Sequence, residues 1–474
     1  MRRVLLLVIS ALALLPSSAL AGVAHTEMVV TDAKYDSSEP MLFFTGVSGE
    51  ANRITMARST TSGDLVLHDA GALLGVGPGC VQVDPGTASC HATRAYIDAG
   101  DGDDTVTVPA VPSGLTSVRG GDGDDVLSGG GSLAGGPGAD LLRGGDPCQE
   151  SCDPGLLAGG PGNDVLRGGA ANELLSGDGS GPIWPAGLDY GRPPTDDGGG
   201  DDTIDGGAGA DTATYGDRGS PVRVDLAARL VTGAGGERDR LEHIENATGG
   251  DAADVLLGDG ASNVLEGDAG NDHIDGRGGD DYLLGNVVPD SNEFSAEYTP
   301  PDSGADRLSG GTGNDRLDAG GERGDVLSGG SGNDRLENES SFGETRVGTV
   351  RCGAGSDVVT FEPRGQLLSS CEVVSFAGAG ISARPARRGR GLRFVGSCPN
   401  SNPFDEPCRL TVTVRIRSAL AGRGKVSIGQ GSRRALTVRS LRPLRRGDVL
   451  EIVSSLRSGV GVPARTSRWR IMLR

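Results

Sequence analysis

Residues 249–285 carry an acidic or amide side chain at one phase of nine: Asp254, Asn263, Asp272 and Asp281. Two places after each stands an aliphatic residue, Leu256, Leu265, Ile274 and Leu283, and glycine-rich sequence precedes each. Carboxylates held within about 5 Å of one another repel, so an ordered array of them requires a cation. The ligand atoms on offer are aspartate oxygens and the carbonyls of flexible turns. That set suits calcium, which accepts about six to eight hard oxygens at about 2.3–2.6 Å, whereas magnesium demands fewer and stricter ligands. No cluster of thiolates or imidazoles stands ready for a softer metal.

Something must hold those aspartates in line, and the rest of the nine-residue unit is built for it. The glycines supply positive φ and tight turns. The three residues after the aspartate place one aliphatic between two polar neighbours, a short strand with one face inward. Such a strand is too short to stand alone, but stacked on copies of itself it buries a continuous aliphatic ladder. With two units to a flattened coil, units eighteen residues apart stack. Asp254 is therefore expected over Asp272, and Asn263 over Asp281. The prediction is an all-β chain organised as an interrupted parallel β-roll or β-helix solenoid.

These residues resemble the hemolysin-type (RTX) calcium-binding repeat, GGxGxDxUx with U aliphatic, which forms a parallel β-roll. The match recurs in "AGDGDDTVT" (99–107), "GGDGDDVLS" (120–128), "GGPGADLLR" (135–143), "GGPGNDVLR" (159–167), "GGAGADTAT" (206–214), "GGTGNDRLD" (310–318) and "GGSGNDRLE" (329–337). Weaker copies are "DGGGDDTID" (197–205), "PDSGADRLS" (301–309), "GGERGDVLS" (320–328) and "CGAGSDVVT" (352–360). Carried over position by position, the resemblance places calcium-ligating aspartates at Asp104, Asp125, Asp140, Asp164, Asp202, Asp211, Asp254, Asp272, Asp281, Asp306, Asp315, Asp325, Asp334 and Asp357. Glu173 and Asn263 replace the aspartate in "GGAANELLS" and "GDGASNVLE", which puts an ion at those units in doubt. The copies at 99 and 352 lack a partner eighteen residues away, so Asp104 and Asp357 stand equally as ligands or as structural turn residues. Residues 129–134 form a shortened unit, and Ala319 adds one residue between neighbours.

The flanks read differently. Arg2 and Arg3, the apolar run Val4 to Leu15 and Ala19-Leu20-Ala21 have the layout of a secretory signal peptide, residues 1–21. No later stretch approaches the roughly 18 apolar residues of a membrane span. Residues 22–98 carry strand-like runs and are expected to form a β module capping the repeats. The repeat region is placed at 99–361, with insertions at 182–196, 215–248 and 286–302; the stretch from 220 alternates apolar and polar residues and reads as longer strands on the same solenoid. A connector, 362–380, leads to a domain at 381–474 that reads as an antiparallel β-sandwich. That last domain holds twenty-one basic and four acidic residues in a chain whose net charge is −20. Eight cysteines fall in close pairs, Cys80 with Cys90, Cys148 with Cys152, Cys352 with Cys371 and Cys398 with Cys408, as expected of disulfides in an oxidising space. Cys148 and Cys152 also have the spacing to begin a zinc site, with no cluster to complete it.

The expectation is an exported calcium-binding protein without catalytic activity, in which ion binding and folding are coupled. No HExxH or GxSxG pattern is present, and His25, His68, His91, His243 and His273 are scattered. Two further readings stand beside it: an extracellular adhesin or matrix protein whose basic domain contacts cell-wall or extracellular polysaccharide, and a secreted hydrolase carrying these repeats. Calcium ions are the expected partners, nucleic acid is not, and the site of action is extracellular.

Overall fold

A computed structural model describes residues 20–32, 37–108, 116–145, 155–179, 199–286, 304–320, 324–338 and 349–361, then the strands of 364–369, 373–376, 381–385, 391–397, 408–416, 419–428, 433–439, 449–457 and 465–472. The chain is all-β, with one 3-10 turn among the described residues, at Ala234–Gly236. No helix among the described residues is long and apolar enough to cross a membrane. Residues 1–19 of the expected signal peptide, all of insertion 182–196 and all of 286–302 but Asn286 lie outside the described residues.

Contacts divide the chain into two compact units. In the first, Leu20–Asp32 and Ser37–Gly46 form an antiparallel pair. From there a parallel ladder runs through Arg94–Asp101 and Thr116–Asp122 to Ser132–Ala134, with Phe43, Tyr96, Ser117 and Ser132 in register. A second parallel ladder joins Arg53–Arg58, Thr105–Val108, Val126–Gly129 and Leu141–Gly144, with Ile54, Val106, Leu127 and Leu142 in register. Strands of the N-terminal module thus pair in parallel with the first coils. An unpaired first coil would expose a row of backbone groups, and this continuity covers it. Cys80 and Cys90 form the expected disulfide. Cys352 is also disulfide-bonded, whereas the loops around Cys148, Cys152, Cys371 and Cys398 lie outside the described residues.

The second unit is a two-faced coil. On one face, three- and four-residue strands stack in parallel from Leu156–Ala158 through Leu174–Ser176, Thr212–Thr214, Asn246–Thr248, Val264–Glu266, Tyr282–Leu284, Arg316–Asp318 and Arg335–Asn338 to Val358–Phe361. On the other, Arg223–Asp225, Val255–Leu257, His273–Asp275, Arg307–Thr312, Val326–Ser331 and Thr349–Ala354 stack likewise. The eighteen-residue register holds in the regular stretch: Leu256 faces Ile274, and Leu265 faces Leu283. These aliphatics are fully buried, and so are Leu308, Leu317, Leu327 and Leu336. A single side-chain file per face is the core, which is why so few aromatic residues suffice.

The stretch 215–248 departs from the expected longer strands. Arg223–Asp225 pairs antiparallel with Leu230–Thr232, which pairs antiparallel with Arg238–Glu242. The strands are only three to five residues long. Apolar-polar alternation is the same for a long strand and for a folded-back pair, and the turn at Ala227-Ala228-Arg229 chooses the latter, with Arg229 at φ 56°. Arg238–Glu242 nevertheless returns to the solenoid, parallel to Thr203–Asp205. After Phe376 the described strands pair antiparallel with one another, and Arg465–Met472 also pairs parallel with Arg364–Ser369. One sheet runs Val373–Phe376, Ile381–Pro385, Gly391–Ser397 and Arg433–Arg439, and another joins Ala419–Ile428, Cys408–Ile416, Val449–Arg457 and Arg465–Met472.

Candidate metal centre

The aspartate of each unit is the residue just before a strand, and the fold turns it inward. Asp104, Asp125, Asp140, Asp164, Asp202, Asp211, Asp254, Asp272, Asp281, Asp306, Asp315, Asp325, Asp334 and Asp357 are all at most 2% exposed. A carboxylate buried to this degree must be hydrogen-bonded, paired or metal-bound. Half of each answer lies in the backbone. Asp254 N–H donates to Asp272 Oδ1 at 2.8 Å, and Asp272 N–H donates to Asp306 Oδ1 at 2.9 Å. On the opposite face Asp281 donates in the same way to Asp315, Asp315 to Asp334, and Asp334 to Asp357. Each coil thereby hands its amide to the carboxylate of the next.

These rungs tolerate changes of spacing. Asp125 donates to Asp140 across 15 residues, which absorbs the shortened unit, and Asp164 to Asp202 across 38, which absorbs an insertion. Asp104 and Asp357, the two copies without a partner at eighteen, join through Asp125 and Asp334 at separations of 21 and 23. Glu173 and Asn263 occupy rungs too, donating to Asp211 at 2.7 Å and to Asp281 at 2.9 Å.

The other carboxylate oxygen is left over. In Asp104, Asp125, Asp202, Asp211, Asp272, Asp281, Asp315 and Asp334, Oδ2 is buried and accepts no hydrogen bond. Exceptions are local: Asp254 Oδ2 accepts the Gly250 amide at 2.6 Å, and Asp306 Oδ2 accepts Asn286 Nδ2 at 2.9 Å. In Asp125, Asp211, Asp272, Asp281, Asp315 and Asp334 the orphan oxygen faces the first glycine of its own unit, and that of Asp202 faces Gly177. A Cβ added at Gly267 would strike Asp272 Oδ2 and come 2.7 Å from the carbonyl of Gly285, so carboxylate and carbonyl oxygens converge on space that only glycine leaves open. Within the same turn a second glycine, as at Gly313 with φ 135°, lets the coil pass against the carbonyl of Gly279.

Burial without a counter-charge penalises ionisation. Desolvation, partly offset by the amide hydrogen bonds, pushes Asp104, Asp140, Asp254, Asp306 and Asp334 up to about 6, and Asp125 and Asp281 to about 7. Asp202 and Asp272 rise to about 8; Asp272 is raised mainly by burial and further by the charges of Asp306 and Asp254. Buried oxygens without donors, converging carbonyls and raised carboxyl groups fit a hard divalent cation.

Two rungs escape the glycine-aspartate pattern. Asp202 donates to Asp239 Oδ1 at 3.1 Å, and Asp211 to Glu245 Oε2 at 2.9 Å, so Asp239 and Glu245 hold the place of the repeat aspartate inside 215–248. Their sequence signal is the half-motif alone: "DRL" at 239–241 matches the end of a repeat unit without its glycines. The histidines have small local roles. His68 meets Thr87 at 2.9 Å, His91 meets Asp64 at 2.9 Å, His243 meets Asp205 at 2.8 Å, and His25 stacks on Phe43.

Comparison with known families finds the RTX calcium-binding nonapeptide repeat, in four copies, over residues 117–132, 156–180, 196–217, 248–286 and 302–336. No curated protein matches the chain.

Proposed function

Since residues 117–336 carry RTX calcium-binding nonapeptide repeats, we propose that calcium is the cation this buried carboxylate ladder is built around, and that binding it is what folds the array. The observation that carries this reading is the file of buried Oδ2 atoms without a hydrogen bond, from Asp125 to Asp334 facing glycine-made gaps. Asp254, Asp272, Asp281, Asp306, Asp315, Asp325, Asp334 and Asp357 would hold ions in the regular part of the coil. Asp104, Asp125 and Asp140 would do so in the first unit, and Asp164, Asp202 and Asp211 in the earlier coils of the second. Calcium supplies two positive charges and a shell of oxygen ligands. It removes carboxylate repulsion and adds order that a single aliphatic file cannot provide. The role is structural and binding rather than catalytic. Export follows from the basic and apolar N-terminus, and an oxidising space outside the cytoplasm agrees with the Cys80–Cys90 disulfide.

Calcium titration of the purified chain, followed by far-ultraviolet circular dichroism, tests it. A β-sheet signal growing with calcium and lost with chelator is expected. Identical spectra in chelator and in millimolar calcium would overturn coupled folding.

A further inference from the structure

The coil at 215–248, where the nonapeptide lapses, contains a buried acidic cluster of another kind. Asp178, Glu237 and Asp239 each bring a carboxylate oxygen within 4.8 Å of the other two. Glu237 is 5% exposed and Asp239 not at all, and the Asp178 side chain is 5% exposed. Through the Asp202 amide the cluster joins the ladder of rungs. Buried carboxylates this close need a positive partner.

Here the chain provides its own. Arg218 is buried, and its Nη2 donates to both Asp178 and Glu237. Its guanidinium carbon lies 5.0 Å from the ring centroid of Tyr215, whose hydroxyl donates to Asp239 Oδ2 at 3.0 Å. The guanidinium thus touches two carboxylates and, through the Tyr215 ring, is linked to the third. A second arginine of the same unit repeats the idea. Arg277 reaches Asp225 with two hydrogen bonds of 2.8 and 2.9 Å and the carbonyl of Gly258 with one of 2.7 Å. A planar fork that is always charged can neutralise carboxylates whatever the calcium concentration, here through Nη2 while Asp178 Oδ1 and Glu237 Oε2 accept no hydrogen bond.

We propose that Asp178, Glu237 and Asp239 form a cation site whose occupant is Arg218, so that residues 215–248 keep their fold without calcium and form the segment on which the calcium-requiring coils stack. The proposal rests on the calcium reading for those other coils. It also explains why the nonapeptide lapses where it does: with a side-chain cation in place, glycine cradles are not needed there.

Hydrogen exchange of the full chain, in chelator and in millimolar calcium, tests it. In chelator, the strands Arg238–Glu242 and Asn246–Thr248 should exchange at least tenfold more slowly than His273–Asp275 and Arg316–Asp318. Arg218→Met should abolish that difference in chelator, and calcium should restore it, because three bare carboxylates are then a hard-oxygen site. The triple variant Arg218→Met with Asp178→Asn and Glu237→Gln removes the guanidinium and the two carboxylates it touches, leaves Asp239 on Tyr215, and should regain protection without calcium, which loss of packing alone would not allow. Equal exchange of all these strands in chelator, or no effect of Arg218→Met, or failure of the triple variant to recover, overturns the proposal. The calcium reading fails separately, if calcium protects none of the flanking strands; selective loss of 215–248 in Arg218→Met would still uphold the arginine's place.

Discussion

At Asp272 the two carboxylate oxygens do different work, and substitution can separate them. Oδ1 accepts the Asp254 amide, whereas Oδ2 makes no hydrogen bond. Asp272→Asn keeps the acceptor and removes the charge. It should raise Tm in chelator and lower it in calcium, each by about 2–4 °C per kcal/mol in a unit of this size. Thermal scans under both conditions check this, and a shift of the same sign in both would count against a cation at this oxygen. Asn263 shows that the fold accepts an amide on a rung, its Nδ2 donating to the carbonyl of Glu245 at 2.7 Å. Glycine can be tested in the same way. A methyl at Gly267 meets Asp272 Oδ2 and the Gly285 carbonyl, while one at Gly260 meets nothing within 4 Å. Gly267→Ala should cost about 1–3 kcal/mol as overpacking and shift the calcium midpoint upward, and Gly260→Ala should be close to neutral. Equal effects of the two would mean that the cradle has no special role.

At the scale of the strand and its turn, stacking makes the charges cooperative and gives the metal-free array a pH dependence of unusual sign. Asp272 and Asp202 titrate at about 8 in the folded coil, and Asp125 and Asp281 at about 7, against roughly 3.9 in an unfolded chain. The folded state therefore holds protons that the unfolded chain releases. The stability this confers is fully present below about pH 4 and is lost as the pH rises through about 8. In chelator, Tm should rise as the pH is lowered from 8 toward 4.5; with calcium present, acid competes with the ion for the same oxygens and this gain should shrink or reverse. A metal-free Tm that falls on acidification would contradict the buried, uncompensated state of these groups. The same strands explain what could be read in advance. Nine-residue phasing fixed both the stacking of Asp254 on Asp272 and the burial of Leu256, Leu265, Ile274 and Leu283, because every unit repeats one environment. Asp239 and Glu245 were hidden because a hairpin, not a glycine turn, carries them to their rungs. Asp178, Arg218 and Glu237 left no local trace, since their meeting depends on which segments stack across 40 and 19 residues.

Across the whole molecule, the charge balance decides how stability must respond to calcium. The chain carries 64 acidic residues against 44 lysines and arginines, and twenty-one of the basic groups lie in 381–474. The repeat array is thus far more acidic than the net charge suggests, and much of that charge sits on buried rungs that dissolved salt screens poorly. Each ion bound only by the folded array adds about 1.4 kcal/mol of stability for every tenfold rise in free calcium above its dissociation constant. Several rungs folding as one cooperative coil should therefore give a slope several times that value, with no plateau over the range in which the sites are filling. Denaturant unfolding at a series of buffered calcium concentrations measures the slope directly. Magnesium at equal concentration should give much less, because it holds its waters and resists the flexible, many-oxygen shell of these turns. A slope equivalent to a single ion, or equal slopes for the two metals, would mean that the buried aspartates act mainly as hydrogen-bond acceptors between coils. The amide-to-Oδ1 rungs would then carry the array, and the orphan Oδ2 atoms would have to be protonated at neutral pH.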